Sequence, residues 1–136
     1  MAKKVLIITS SLRKGSNSDL LADAFAKGAE EAGNTVETIS LKEKEIRYCI
    51  GCLACQKTGR CVLADDVPEI MEKVRNADAV AFASPVYYYS ISGQLKTLLD
   101  RLNPLFSSAY KFRDVYFLST AYEDEKATVE GSVTAI

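Results

Sequence analysis

Four cysteines lie close together in the middle of the chain, and they carry its most reactive chemistry. They follow the spacing Cys-x2-Cys-x2-Cys-x5-Cys, at Cys49, Cys52, Cys55 and Cys61. Four local thiolates can ligate a [4Fe–4S] cluster, and the first three have the bacterial ferredoxin spacing. Zinc sites of the ribbon type place a long spacer between two cysteine pairs, which this chain lacks. The pattern leaves three uses open: an iron–sulfur cluster, free or redox-active thiols, and zinc.

A polar segment rich in hydroxyl groups, residues 10–18, follows the first apolar run and leads into a predicted helix. Free N–H groups and the helix dipole at the start of a helix favour a bound phosphate. The segment is neither a Walker A loop nor a G-x-G-x-x-G fingerprint, which argues against ATP and a Rossmann-bound dinucleotide. The alternative is an ordinary polar loop in which Ser18 caps the helix. The candidate phosphate contacts are Ser10, Arg13, Ser16, Asn17 and Ser18.

Three consecutive tyrosines, Tyr87, Tyr88 and Tyr89, follow a second buried strand pattern and are unusual for a solvated loop. Their aromatic faces can stack on a flat ring ligand, and Ser90 can bond its heteroatoms. The alternative is that they cover the core or an oligomer interface, where tyrosine is enriched.

The overall composition limits the chemistry further. The chain has 136 residues, a net charge of −1 and no histidine. The charge gives no case for nucleic acid or an anionic membrane as a partner. Without imidazole there is no Ser-His-Asp or Cys-His catalysis and no histidine-ligated metal. Since no apolar run resembles a signal peptide or a membrane span, we expect a cytoplasmic protein with reduced thiols.

The elements that must position these residues follow a βαβ order. Residues 5–8 form a continuous apolar run, typical of a strand covered on both faces. Further strands are predicted over residues 35–40, 79–84 and 115–120, and residues 41–64 form a cysteine-rich excursion. The whole chain is therefore predicted to be one doubly wound α/β domain, residues 1–136. It ends before a fifth strand and helix, so we expect the fourth strand to be an exposed edge.

Four helices are predicted between and after these strands. The first places Leu20, Leu21, Ala24, Phe25, Ala29 and Ala32 on one face. The second begins with a capping box formed by Asp66 and Glu69. The third covers residues 93–102, with Asp100 and Arg101 expected to form a structural or interface ion pair, and the fourth begins near Asp124.

Three of these motifs, in this order, resemble the NAD(P)H-dependent FMN reductases of the flavodoxin-like superfamily, and above all its iron–sulfur flavoproteins. They are Ser-Leu-Arg-Lys-Gly-Ser-Asn-Ser at residues 11–18, the cysteine motif with Asp65-Asp66, and Ser84-Pro85-Val86-Tyr87 leading to Leu95-Lys96 and Asp100-Arg101. The resemblance covers nearly the whole chain. It implies a flavodoxin-like parallel sheet in the order 2-1-3-4-5, with FMN at the carboxyl edge of its strands. Family members usually continue beyond the last residue of this chain.

The resemblance also implies which residues bind the cofactor. The phosphate of FMN would lie in residues 10–18, with Leu12 in the same loop. The isoalloxazine ring would be lined by residues 85–90, and a third contact would follow the fourth strand. The cofactor-binding residues expected in the last two segments are Pro85, Val86, Tyr87, Tyr88, Tyr89, Ser90, Ser119 and Thr120.

The function that the resemblance implies is an FMN-dependent oxidoreductase. It would pass electrons from NAD(P)H through the flavin to a quinone, a free flavin, a metal complex or a redox protein, with a [4Fe–4S] cluster as a further centre. Two alternatives remain open: a non-catalytic electron carrier reduced by another protein, and a remnant that holds no flavin. Relatives are commonly dimers or tetramers, so we expect a homo-oligomer.

Overall fold

The computed structural model describes all residues, 1–136, as an α/β domain built on a parallel sheet. The strands are β1 (Lys4–Thr9), β2 (Thr35–Ser40), β3 (Ala79–Tyr87), β4 (Ser90–Ile91) and β5 (Asp114–Thr120). The helices are α1 (Asn17–Glu31), α2 (Ala54–Thr58), α3 (Val67–Asn76), α4 (Gly93–Asp100) and α5 (Lys126–Ala135). Two short 3₁₀ helices lie at Leu41–Glu43 and Asn103–Ser107.

Four parallel strands stand in the order β2-β1-β3-β5. Because β5 is the predicted fourth strand, this arrangement confirms the flavodoxin-like order 2-1-3-4. β4 adds two residues antiparallel to the end of β3, pairing Val86 with Ile91 and Tyr87 with Ser90. β3 therefore runs three residues beyond its predicted end and turns back through Tyr88 and Tyr89. Both turn residues have a positive φ, 45° and 63°, which hairpin sequence rules assign to glycine or asparagine.

Both faces of the sheet are buried, as the continuous apolar run of β1 predicts. Leu6 and Ile8 face α3 and α4 in the larger core cluster. Val5 and Ile7 face α1 in the smaller one, among alanines of β3. Alternate residues of one strand thus enter two different cores, which explains why no polar residue interrupts the run.

The predicted inner face of α1 is partly wrong. Leu20 and Leu21 are exposed, at 58% and 39%, whereas Ala22 is buried and Phe25 packs beside it against the sheet. The side of α1 that meets the sheet is built mainly from alanines, and β3 presents alanines opposite them. Hydrophobicity alone assigned the larger leucines to the core.

The predicted capping box at the start of α3 is also wrong. Asp66 occupies the N-cap position but makes no side-chain capping bond. Its carboxylate accepts from the backbone N–H of Glu45 at 2.6 Å, while Asp65 accepts from Val67 N at 3.0 Å. The Asp-Asp pair therefore anchors the chain that precedes the cysteines.

Candidate functional site

The carboxyl ends of β1, β3 and β5 lie side by side and bring the three predicted cofactor segments together. Ser10 N, at the end of β1, donates to Ala83 O of β3 at 3.0 Å. In the next strand pair, Ser84 stands opposite Ser119, and Pro85 opposite Thr120. In open parallel sheets, ligands bind at this edge, in the crevice beyond the strand ends. We call the surface formed by residues 10–18, 84–90 and 119–120 the cradle.

Three fully buried serine hydroxyls form the floor of the cradle. Ser92 Oγ donates to Ser10 Oγ at 2.8 Å, and Ser10 Oγ donates to Ala83 O at 3.2 Å. Ser84 Oγ accepts from Ser92 N at 3.0 Å. The predicted phosphate contact Ser10 therefore has its hydroxyl committed beneath the surface, where it joins β1, β3 and the start of α4.

Above this floor, the loop into α1 presents free donors. The backbone N–H groups of residues 14–18 make no hydrogen bond within the protein. The side chains of Leu12, Arg13 and Asn17 are exposed, and Gly15 has a φ of 65° that turns the chain into the helix. Free N–H groups with a positive helix end and an arginine fit an anion such as a phosphate.

The capping residue of α1 is Ser16 rather than Ser18. Ser16 Oγ accepts from Asp19 N at 3.2 Å and lies 3.3 Å from Ser18 Oγ. The sequence analysis also missed Ser11, which is buried in the loop and accepts from Arg13 N at 3.3 Å. Its adjacency to Ser10 was the available signal, but sequence alone does not say which of two neighbouring serines faces the loop.

The tyrosine turn forms an exposed wall of the cradle and does not cover the core. Tyr88 is 96% exposed, Tyr87 and Tyr89 are exposed as well, and the rings of Tyr88 and Tyr89 meet edge to face at 6.0 Å. The neighbouring predicted contacts Pro85, Val86 and Ser90 are half-buried. On the other side, Gly131 of α5 lies so close that a Cβ there would stand 2.1 Å from Tyr89 O.

The third segment supplies a buried hydroxyl without a partner. Ser119 Oγ, at the end of β5, is buried and makes no hydrogen bond, and Thr120 beside it is half-buried. An unpaired buried hydroxyl is unfavourable unless a ligand or water bonds it. Beside the loop, a groove of about 520 Å³ reaches from Leu12 past Lys42, Lys44 and Tyr48 to Gln94. Leu12 is the one residue of the cradle that lines this groove. The free donors and the unpaired hydroxyl are therefore the features of the cradle that fit FMN.

The four cysteines lie apart from the cradle, in the largely irregular segment between β2 and α3. Cys49 and Cys52 are exposed, Cys61 is half-buried, and Cys55 is buried in α2. All four line one cavity of about 30 Å³ with apolar walls. No three of them, with or without acidic neighbours, are placed to share a metal ion. The set therefore fits an iron–sulfur cluster in donor type alone, because the cavity has about the volume of one water molecule and the sulfurs are not drawn together around one point.

Hydrogen bonds already reach two of these sulfurs. Cys49 Sγ accepts from Gly51 N at 3.4 Å, and Cys55 Sγ accepts from Asn103 Nδ2 at 3.2 Å. N–H donors around cysteine sulfurs are a usual feature of thiolate metal sites, because they stabilise negative charge on sulfur.

A buried ion pair holds the cysteine segment to α4. Arg101 and Asp65 have fully buried side chains and meet through two hydrogen bonds, of 2.6 and 3.0 Å. The predicted pairing of Arg101 with Asp100 is wrong, because neighbours on a helix point in different directions; Asp100 pairs with Lys96 one turn away.

The ion pair shifts the pKa of both partners in the direction of the charged forms. Burial alone would raise the pKa of Asp65, but the hydrogen bonds from Arg101, Arg47 N and Val67 N outweigh it and lower the pKa. Burial alone would lower the pKa of Arg101, but its hydrogen bonds to Asp65 raise the pKa. Both groups therefore stay charged in the folded protein.

No helix of the structure is long and apolar enough to span a membrane.

Comparison with known proteins identifies the family. The family model described as NADPH-dependent FMN reductase matches residues 3–130. The chain is 43% identical over 102 residues to an iron–sulfur flavoprotein of Methanocaldococcus jannaschii, covering 75% of this chain and 53% of the relative. It is 42% identical over 101 residues to one of Archaeoglobus fulgidus, covering 74% and 46%. The chain thus spans about half the length of these curated relatives.

A solved structure shares the fold. The NAD(P)H:quinone oxidoreductase from Methanothermobacter marburgensis superposes with a TM-score of 0.76 at 22% identity. The superposition covers 93% of this chain and 70% of that enzyme.

Proposed function

The chain belongs to the NADPH-dependent FMN reductase family, and from that premise we propose that it binds FMN in the cradle and acts as an NAD(P)H-dependent oxidoreductase. The single observation that carries the proposal is the row of free backbone N–H groups at residues 14–18, next to the carboxyl ends of the strands.

Different residues of the cradle would bind different parts of the cofactor. The free N–H groups, with Arg13, Asn17 and Ser18, would hold the phosphate, since charge-assisted hydrogen bonds are the strongest type available at a protein surface. Ser16 and Ser11 fix the shape of the loop through the bonds they accept from Asp19 and Arg13. Ser10 would act from below, by keeping β1 and β3 in register at the point where the loop begins.

The tyrosine turn would flank the ring system. Exposed aromatic faces at Tyr87, Tyr88 and Tyr89 give a flat ligand a surface to stack on. Ser119 Oγ, buried and unpaired, would donate to a polar atom of the ligand. Thr120, Pro85, Val86 and Ser90 would complete the wall.

When bound, FMN supplies hydride and electron transfer between NAD(P)H and an acceptor. The protein then has to bind, orient and shield the reactants, and it needs no side chain as a general base. This agrees with a chain that contains no histidine. We propose as acceptor a quinone, a free flavin, a metal complex or a redox protein.

The test begins with a titration of FMN and of riboflavin, which lacks the phosphate. We expect FMN to bind at least tenfold more tightly, because only FMN can use the donors of residues 14–18. Equal affinities would show that the loop does not bind the phosphate.

In a second experiment, the FMN-loaded protein is mixed anaerobically with NADPH and with NADH, and the flavin absorbance is followed. Bleaching by either supports a reductase, whereas retained FMN that neither nucleotide bleaches indicates an electron carrier.

We propose further that Cys49, Cys52, Cys55 and Cys61 ligate a [4Fe–4S] cluster. This use is favoured over unrelated thiols by the close spacing of the four cysteines and by the iron–sulfur flavoproteins among the relatives. A bound cluster supplies one-electron transfer beside the two-electron flavin. Anaerobic incubation with iron and sulfide should give a broad visible absorption and about four irons per chain. Cys55→Ser should abolish the absorption and the iron uptake. Ser107→Ala, a control beside α2, should leave both unchanged. Failure of the wild type to take up iron would contradict the proposal.

Self-association remains a prediction. β5 forms an edge of the sheet, and Val115 and Tyr116 on it are exposed. Light scattering at micromolar concentration should report a mass above that of one chain; a monomer would contradict it.

A further inference from the structure

The groove beside the cradle carries positive charge that the proposed FMN site does not use. Its volume of about 520 Å³ lies within the roughly 300–1,000 Å³ that is usual for small-molecule sites. Lys42, Lys44 and Tyr48 line it from the chain that follows β2, and Gly93 and Gln94 line it from the start of α4. No carboxylate is among the residues that line it. We call it the lysine groove.

The two lysines of this groove have no acidic partner. Other lysines of the chain, such as Lys96, form an ion pair with a carboxylate, but Lys42 and Lys44 form none. Glu43 and Glu45 alternate with them in the sequence but do not line the groove. The protein therefore leaves the positive charge of the groove free for an anionic ligand.

The backbone holds these side chains in a fixed direction. Lys44 is extended, with φ −93° and ψ 136°, and from there every second residue lines the groove, as expected of an extended chain. These residues are Lys44, Ile46 and Tyr48. The N–H groups of Glu45 and Arg47, which lie between them, donate to the carboxylates of Asp66 and Asp65 at 2.6 and 2.8 Å. The Asp-Asp pair thus fixes this side of the groove.

The lysine groove is continuous with the cradle. Leu12 of the cradle lines both. Gln94, which also lines the groove, donates through Nε2 to Ser10 O at 2.7 Å. Gly93 follows Ser90, a predicted contact of the flavin ring, by three residues. A long ligand can therefore lie with one end in the cradle and the other end beside the lysines.

We propose that the lysine groove binds the adenosine end of NADPH, with Lys42 and Lys44 at its 2′-phosphate and the ring of Tyr48 stacked on the adenine. Tyr48 is 79% exposed, so a face of its ring is free to stack. The positive end of α4, at Gly93, suits the diphosphate. This inference rests on the proposed function, because it extends the nucleotide site outward from the cradle.

The charges of the groove favour NADPH over NADH. In dinucleotide-binding folds, a carboxylate bonds the ribose 2′-hydroxyl of NAD, whereas a cation accommodates the 2′-phosphate of NADP. Two unpaired lysines without a carboxylate correspond to the second arrangement. Lys42 and Lys44 are therefore specificity-determining residues for the nucleotide.

The first experiment needs no turnover. The full chain, with FMN present, is titrated with adenosine 2′,5′-bisphosphate and with AMP, which lacks the 2′-phosphate. We expect the bisphosphate to bind about tenfold more tightly or better, as for one charge-assisted hydrogen bond. The advantage should shrink at high salt, because the lysines are exposed. Equal affinities, or no binding of the bisphosphate at millimolar concentration, would overturn the proposal.

Matched lysine variants locate the contact. Replacing both groove lysines, Lys42→Met with Lys44→Met, should reduce the advantage of the bisphosphate to less than about threefold and leave AMP binding unchanged. Lys57→Met also removes an exposed lysine without an ion pair, but outside the groove, and should change neither affinity. Equal losses in the double variant and in Lys57→Met would mean that the protein attracts the bisphosphate only through its general charge, which would overturn the proposal.

Variants of Tyr48 test the stacking separately. Tyr48→Ala should weaken both nucleotides by about fivefold or more, because the adenine is common to them. Tyr48→Phe keeps the ring and should restore both affinities. If Tyr48→Ala binds both nucleotides as the wild type does, the adenine does not lie on this ring and that part of the proposal is wrong.

Turnover separates this inference from the proposed function. In the FMN-loaded chain, kcat/KM should be about tenfold higher for NADPH than for NADH, and the double lysine variant should lose this preference through KM rather than kcat. If both nucleotides bleach the flavin equally well, the inference fails and the reductase function stands. If neither bleaches it, the reductase function fails, and the titrations still decide what the groove binds.

Discussion

The cradle and the cysteine segment use buried polar groups in opposite ways. In the cradle, the serine hydroxyls are bonded beneath the surface, and the backbone donors of residues 14–18 remain free above it. In the cysteine segment, a buried guanidinium and a buried carboxylate bond the backbone of the segment itself. One region leaves its donors free at the surface, and the other uses them to hold its own chain.

The difference follows from the secondary structure around each region. The cradle joins the ends of strands to a helix, and the ladder hydrogen bonds of the sheet already hold it in position. The segment from β2 to α3 contains only a 3₁₀ turn and the five-residue α2, so few regular hydrogen bonds support it. A buried ion pair with several backbone contacts supplies that support from one point. Four predictions test this contrast.

The largest effect should come from breaking the ion pair. Asp65→Ala leaves the Arg101 charge buried and unpaired, and we expect the free energy of unfolding to fall by roughly 3–5 kcal/mol. Urea unfolding followed by circular dichroism measures it. Asp100→Ala removes the exposed pair with Lys96 and should cost under about 0.5 kcal/mol. Similar losses in the two variants would mean that the segment does not depend on the buried pair.

The next effect should appear in binding and not in stability. Arg13 is exposed and makes no side-chain hydrogen bond or ion pair within the protein, so Arg13→Ala should leave urea unfolding unchanged. It should raise the Kd for FMN about 10- to 100-fold, the equivalent of a lost charge-assisted hydrogen bond of about 1.5–3 kcal/mol. Fluorescence titration measures the Kd for FMN and the Kd for riboflavin. An equal loss of riboflavin affinity would show that Arg13 does not act through the phosphate.

A smaller effect should come from the contact between α5 and the tyrosine turn. Gly131→Ala places a methyl group against Tyr89 O, so α5 or the turn must shift, at a cost of about 1–3 kcal/mol in unfolding free energy. Gly28→Ala in α1, where the space is open, should instead stabilise by up to about 1 kcal/mol. If the two variants have the same stability, the close approach is not a feature of the folded protein.

The smallest effect should be the dependence of stability on pH. Because the pKa of Asp65 is lowered in the folded state, its contribution is complete above the ordinary value near 3.8 and declines as the pH falls further. Asp65→Asn should therefore show a flatter fall in unfolding free energy below pH 4 than the wild type. Some slope should remain, since backbone Lys4 N and the Lys111 side chain also lower the pKa of Asp78. Identical slopes would show that Asp65 is not the titrating group.

The sequence predicted the four parallel strands, the position of the loop at residues 10–18 and the exposed edge at β5. Those features follow from apolar runs and from the order of elements, which are local properties of the chain, whereas the strand order came from the resemblance to a known family. The errors concern residues whose role depends on a partner that the local pattern does not show. Asp66 bonds Glu45 rather than capping α3, and Arg101 pairs with Asp65 rather than with Asp100.

Residue types and spacing alone therefore determined that this chain has a polar loop before its first helix, an aromatic turn and four closely spaced cysteines on a parallel α/β scaffold. Tertiary structure alone decided which serine hydroxyls are hydrogen-bonded below the surface of the cradle. It also decided that Arg101 is bonded to Asp65, 36 residues away, rather than to its neighbour. The reason is physical: periodicity assigns a side chain to a face, but its hydrogen-bond partner depends on which elements the fold brings within about 3 Å.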